Sequence, residues 1–138
     1  MSRVIKLEGV GKERKKLVRA VVLALRELAH QQEPNEYTRD IAAFISLTLI
    51  AIYKTIDESV AAWEKRGYWL KADRFRLEWS WTETLGQKIQ ESLLKDDWTT
   101  IALTTAQVAE KLNKENLPQR NRLGTPWKGA WEKLKGKN

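Results

Sequence analysis

Residues 27–30, Glu-Leu-Ala-His, have the Glu-x-x-His spacing that carboxylate-bridged metal sites use in helical bundles. Side chains three positions apart point the same way from a helix, so Glu27 and His30 could share one metal ion. The di-iron pattern needs two such motifs, whereas this chain has one histidine. A metal site would therefore need a second copy of the chain, and the sequence favours the interpretation of a histidine near a helix end.

Aromatic and basic side chains are interleaved over residues 63–81, WEKRGYWLKADRFRLEWSW. Arginine and lysine can neutralise phosphates while exposed rings stack on bases, so this composition is typical of single-stranded nucleic-acid binding. The candidate phosphate contacts are Lys65, Arg66, Lys71 and Arg74. A structural interpretation competes and is favoured, because cations suit the last turn of a helix and a bundle would bury the tryptophans.

A second basic cluster lies near the start of the chain. Its members are Lys12, Arg14, Lys15, Lys16 and Arg19. Cations in the first turn of a helix oppose its dipole by about 0.3 to 1 kcal/mol each, and only Glu13 offsets them. Anion binding, charge matching with a partner and solubility are three interpretations that the sequence leaves open.

The chain offers more apolar helix surface than four helices in a simple square need. The candidate interface residues are Leu47, Ile50, Trp79, Trp127 and Trp131. Either the final helix covers this surface within the chain or a second copy does, and a twofold dimer is the commonest oligomer.

The composition excludes several kinds of chemistry. Cysteine is absent, which excludes a disulfide, a thiolate zinc site and a cysteine nucleophile. The single histidine argues against familiar acid–base catalysis, and the seven glycines are scattered rather than grouped into a phosphate-binding loop. An enzyme is thus the least supported class, and we predict no cofactor.

The net charge of +7 permits an acidic partner without naming one. The first residues lack the apolar run of a signal peptide, and no other stretch is long and apolar enough to span a membrane. We therefore expect a cytoplasmic protein without membrane contact.

An uncharged run, IAAFISLTLIAIY at residues 41–53, is the centre of the chain. A bilayer crossing needs about 20 apolar residues, so this run predicts a helix buried on nearly all sides by other helices. It belongs to the second of the predicted helices, which Asn35 or Thr38 caps and Gly67 ends. The first helix is predicted over residues 12–31.

A third helix is predicted over residues 68–95, with Gly86 as its one weak point. It carries two apolar stripes on nearly opposite sides, so it requires two packing partners. One stripe consists of Leu70, Leu77, Trp81 and Leu85, and the other of Tyr68, Ala72, Phe75 and Trp79.

Asp96 or Asp97 caps a fourth helix that runs to residue 113, and Thr125 with Pro126 starts a short final helix. Residues 1–11 form an N-terminal arm, and residues 114–124 form a polar linker to the last helix. The predicted fold is all-α: one domain over residues 1–138, an antiparallel helical bundle of four main helices plus a short C-terminal helix.

Four tryptophan-rich or charged segments resemble those of a family of small all-helical bacterial hypothetical proteins. They are GKER at residues 11–14, AWEKRGYW at 62–69, KADRFRLEW at 71–79 and RLGTPWKGAW at 122–131. The likeness covers most of the chain and implies an all-helical bacterial protein. It implies no activity, ligand or functional residue.

The sequence therefore predicts a non-enzymatic helical interaction module that self-associates and contacts an acidic partner through its basic ends. The alternative is nucleic-acid binding through the basic first helix and the Trp/Arg-rich hairpin. A metal or small-ligand site at Glu27 and His30 is the third hypothesis.

Overall fold

The computed structural model describes residues 7–115 and 124–136, and this part of the chain is all-helical, without a strand. The six helices are α1 (Leu7–Ala29), α2 (Glu36–Lys65), α3 (Trp69–Trp79), α4 (Trp81–Leu94), α5 (Trp98–Lys111) and α6 (Ala130–Gly136). None of the described helices combines the length and apolar character that a membrane crossing requires.

Helix α2 is the centre of the fold, as predicted, and it packs against α1, α3, α4 and α6. Its residues Ile41, Ile45, Leu49 and Ile52 are completely buried in the main core. Further along α2, Ile56 and Val60 form a second, smaller core with Ala72 of α3. The uncharged first half of α2 thus lies in the main core, and its amphipathic second half supports α3.

Both ends of α2 follow the sequence prediction. The Asn35 side chain accepts a hydrogen bond from the Thr38 N–H at 2.9 Å and caps the helix. At the other end Gly67 adopts a positive φ of 84°, which glycine tolerates without strain. The N–H of Tyr68 then donates to the Trp63 carbonyl at 2.9 Å, which closes the helix and sets the direction of α3.

Helices α1 and α2 run in opposite directions. Near the start of α1, Arg14 donates to Ser59, and near its end Glu27 accepts from Tyr37. The predicted N-terminal arm is wrong over residues 7–11, because α1 begins at Leu7 and includes Gly9 and Gly11. Glycine lowers helix propensity only by about 1 kcal/mol, a cost that a long helix packed along α2 can include. The rest of the arm, residues 1–6, lies outside the described residues.

The predicted third helix is two helices, interrupted at Ser80. Gly86, the predicted weak point, is instead a buried contact between α4 and α2. A methyl group at Gly86 would lie 3.0 Å from Ile50 and 3.1 Å from Leu49, and the Gly86 carbonyl accepts from the Ser46 hydroxyl at 2.7 Å. The absence of a side chain lets the two backbones approach.

Of the two candidate caps for the fourth helix, Asp97 caps α5 by accepting from the Thr100 N–H at 3.1 Å. The final helix begins later than predicted, at Ala130, after turns over residues 126–129. Gly129 has a φ of 84°, a conformation outside the helical region, and this is why Thr125 and Pro126 do not start α6. Within the predicted linker, residues 116–123 lie outside the described part of the chain.

Candidate functional site

Arg14 joins three helices at one end of the protein. Its guanidinium donates to Ser59 Oγ at 2.6 Å, to Thr55 Oγ1 at 3.1 Å and to the Thr55 carbonyl at 3.2 Å. It also lies over the Phe75 ring of α3, 4.8 Å from the centroid. Burial lowers the pKa of Arg14, and the charge of Glu58 acts in the opposite direction. Arg14 was predicted as an anion contact, but it is held by internal partners because the segment that carries it packs on α2.

A cluster of partly buried rings lies beneath this contact. The Trp63 and Phe75 rings meet edge to face with centroids 4.9 Å apart, and Trp79 packs against Phe75 at 6.4 Å. Trp63, Phe75 and Trp79 all contact the smaller core around Ile56 and Val60. For these three rings the structural interpretation of the aromatic run is correct.

Two aromatic side chains that follow Gly67 are exposed instead. Tyr68 is 54% exposed and Trp69 is 61% exposed, although Tyr68 was predicted on a buried stripe. The other predicted stripe of this helix is also partly wrong, since Leu70 is 65% and Leu77 77% exposed. The break at Ser80 and the short length of α3 leave only one of its faces against α2.

Four cations surround the two exposed rings, and we call this surface the tip. It consists of Lys65, Arg66, Tyr68, Trp69, Lys71 and Arg74. The cationic side chains are exposed, and Lys71 lies 4.6 Å above the Trp63 ring. An open groove runs along the tip, lined by its rings, by Lys71 and Arg74, and by Trp63, Phe75 and Glu78.

Of the carboxylates near the tip, Glu78 lines the groove, and two others are paired with a residue outside it. Glu64 and Asp73 both pair with Arg76, at 3.0 and 2.8 Å. Within the described part of the chain, the cations of the tip form no ion pair, so they keep their charge for a partner.

The basic cluster of α1 lies on the same end of the protein as the tip. Arg14 fixes this half of α1 against α2 and α3, as described above. The other four members, Lys12, Lys15, Lys16 and Arg19, are exposed. The fold therefore brings together two basic segments that lie about 50 residues apart in the sequence.

Glu27 and His30, the predicted metal pair, have different surroundings in the structure. Glu27 Oε2 accepts from the Tyr37 hydroxyl at 3.0 Å, and that hydroxyl oxygen accepts from Trp127 Nε1 at 3.0 Å. Burial is the main reason why the pKa of Tyr37 is raised. His30 is exposed in the turn after α1, and the described residues contain no group of three or more His, Cys, Asp or Glu that could hold a metal ion.

Most of the predicted interface is covered within the chain. Trp127 is 1% exposed, and Leu47, Ile50, Trp79 and Trp131 are partly buried. Trp127 is thus not available to a partner, since the C-terminal segment packs it into the main core. Leu103, which was not among the predicted interface residues, is 64% exposed.

Asp40 was also missed by the sequence analysis. Its carboxylate accepts from the Gly129 N–H at 3.0 Å and from the Trp131 N–H at 2.9 Å, so a side chain of α2 caps the start of α6. The sequence holds no local signal for this contact, because the partners are separated by 89 and 91 residues.

Comparison with protein-family models, with curated proteins and with solved structures finds no match for this chain. The resemblance to a family of small bacterial proteins stays a prediction.

Proposed function

We propose that the protein is a non-enzymatic helical binding module whose basic end contacts an acidic partner. The observation that carries this proposal is the tip, where exposed cations lie beside exposed rings and without ion pairs among the described residues. The exposed lysines of α1 extend the same positive end of the protein.

The proposal includes an antiparallel bundle of four main helices as the scaffold, with α3 and α4 counted as one. The opposite directions of α1 and α2 support this arrangement. Ser46 in the first half of α2 contacts Gly86 of α4, and Glu64 at the end of α2 contacts Arg76 of α3. Helix α2 and the α3–α4 pair therefore also run in opposite directions. Helix α5 packs against α4 and makes a smaller contact with α1.

Heparin, a flexible polyanion, is the probe for the proposed function. We expect the protein to bind it with an affinity that falls as salt rises, because the contacts are electrostatic. A variant with Lys65, Arg66 and Arg74 all changed to Ala is expected to elute from heparin at clearly lower salt. The matched control removes three exposed cations elsewhere, Lys88→Ala, Lys95→Ala and Lys111→Ala. If the two variants elute at equally lowered salt, net charge rather than the tip governs heparin binding, and the proposal is overturned.

Self-association is a second proposal, supported by large apolar side chains that the chain itself leaves uncovered. These are Leu77, Leu94 and Leu103. If they meet in a symmetric dimer, light scattering will report twice the mass of one chain, and Leu77→Lys or Leu103→Lys will lower it. A single-chain mass at high protein concentration would exclude this dimer.

A further inference from the structure

We propose that the acidic partner of the tip is single-stranded nucleic acid, whose phosphates contact the tip cations while bases stack on Trp69 and Tyr68. This inference rests on the proposed function and adds the identity of the partner.

The exposure of Trp69 is the first argument. The chain has seven tryptophans, and the other six are buried or partly buried in the described structure. Trp69 belongs to an uninterrupted exposed run with Tyr68 and Leu70. Such an exposed run is a surface on which flat apolar groups can stack.

The placement of charge around the rings is the second argument. Lys65 and Arg66 precede the two rings in the chain, and Lys71 and Arg74 follow them. A nucleic-acid strand carries phosphates and bases side by side, so it matches cations and rings that alternate over a short distance. An acidic peptide without aromatic side chains would match the cations alone.

The form of the surface is the third argument, and it favours a strand over a lipid bilayer. Tyr68, Trp69, Lys71 and Arg74 line a groove to which Phe75 also contributes. A single strand can follow a groove, and its bases are free to turn toward the rings. In a duplex the bases are already stacked and paired, so the rings would have little to bind.

The experiment compares two labelled strands by fluorescence anisotropy at low salt. One is a thymidine oligonucleotide about ten nucleotides long, within the range of compact single-strand sites. The other is an abasic strand of the same length, which has the same phosphates and no bases. Since stacking on an aromatic side chain contributes substantially per base, we expect the thymidine strand to bind about tenfold more tightly or better.

Substitutions at the tip assign that preference to a side chain. Trp69→Ala should remove most of the preference for the thymidine strand and leave the affinity for the abasic strand unchanged. Trp69→Phe, which restores a ring, should recover much of the preference. Gln87→Ala is the control, since Gln87 is exposed and uncharged but lies outside both the tip and the proposed dimer contact. Circular dichroism of each variant checks that the fold is retained.

The outcomes separate this inference from the proposed function. Equal affinity for the thymidine and abasic strands would overturn the stacking inference and leave the polyanion-binding function in place. Failure to bind either strand, together with failure to bind heparin, would overturn both. Trp69-dependent binding to vesicles of anionic phospholipid, without a preference for the thymidine strand, would assign the tip to a membrane surface and overturn the nucleic-acid inference.

Discussion

The guanidinium of Arg14 lies 4.8 Å above the centroid of the Phe75 ring, so a residue predicted to bind an external anion instead connects α1 to α3. The same guanidinium donates to Thr55 and Ser59 of α2. One side chain thereby fixes the relative positions of the three helices that carry the basic end of the protein.

Arg14→Ala is expected to lower the free energy of unfolding by about 1 to 3 kcal/mol, because it removes three partly buried hydrogen bonds and a cation–π contact together. Arg14→Lys should recover little of this, since an ammonium group lacks the planar fork that reaches both α2 residues. Urea denaturation measures the change. The exposed neighbour Lys15 is the control, and Lys15→Ala should stay within about 0.5 kcal/mol of the wild type. If the Arg14 and Lys15 variants are equally stable, the contact does not hold the helices.

Gly86→Ala is expected to destabilise the protein by about 1 to 3 kcal/mol, even though alanine is the better helix former. The added methyl group would lie 3.2 Å from the Ser46 carbonyl oxygen and 3.1 Å from Leu49 Cβ, and both atoms belong to the buried part of α2. These atoms cannot move without shifting α2.

Gly11→Ala is the matched control for this change. Gly11 also lies inside a helix, but a methyl group there would meet no atom within 4 Å. It should stabilise the protein by about 0.5 to 1 kcal/mol, as expected where only helix propensity acts. Thermal unfolding of the two variants should therefore shift in opposite directions, and a stabilising Gly86→Ala would contradict the close approach of α4 and α2.

Asp40→Ala is expected to loosen the C-terminal segment without unfolding the bundle. The change removes the acceptor for the Gly129 and Trp131 N–H groups, and hydrogen bonds to a charged group contribute about 1.5 to 3 kcal/mol. Hydrogen exchange should become faster over residues 129–136 and stay unchanged in α5. In the control variant Glu132→Ala, an exposed carboxylate that pairs with Lys135 is lost, and exchange should hardly change. Equal acceleration in α5 would show that Asp40 supports the whole fold instead.

Stability is expected to fall at acid pH, partly through Asp97. Hydrogen bonds from the Thr100 hydroxyl and N–H hold the pKa of Asp97 below its usual value. A carboxyl group with a lowered folded-state pKa contributes stability above its unfolded pKa, and this contribution is lost as the pH falls through the folded value. The urea midpoint should thus decrease between about pH 5 and about pH 2.

Asp97→Asn tests the assignment, because asparagine caps a helix as well as aspartate but does not titrate. The decrease in the urea midpoint should be smaller in this variant than in the wild type. Parallel pH profiles for the two proteins would mean that other carboxylates, such as Asp96 beside Arg39, account for the loss.

The sequence determined the features whose causes are local. The uncharged run at residues 41–53 predicted the central helix because a segment this apolar and without charged side chains must be covered on nearly all sides. Asn35 and Gly67 marked the ends of that helix, since capping and a left-handed turn depend on the residue itself and its immediate neighbours. The helical spacing of Ile101 and Val108 likewise agrees with their burial in α5.

Tertiary structure decided the features that depend on distant partners. A helical wheel shows that Tyr68 and Phe75 share a face, but only the packing of α3 on α2 exposes the first and buries much of the second. Arg14 and Lys15 are equivalent as cations in the sequence, and the positions of Ser59 and Phe75 distinguish them. Helix propensity alone predicts that Gly86 weakens its helix, whereas the close contact with α2 leaves no room for a side chain at this position. The composition of the basic end was therefore set by the sequence, and which of its rings and charges face outward was set by packing between residues far apart in the chain.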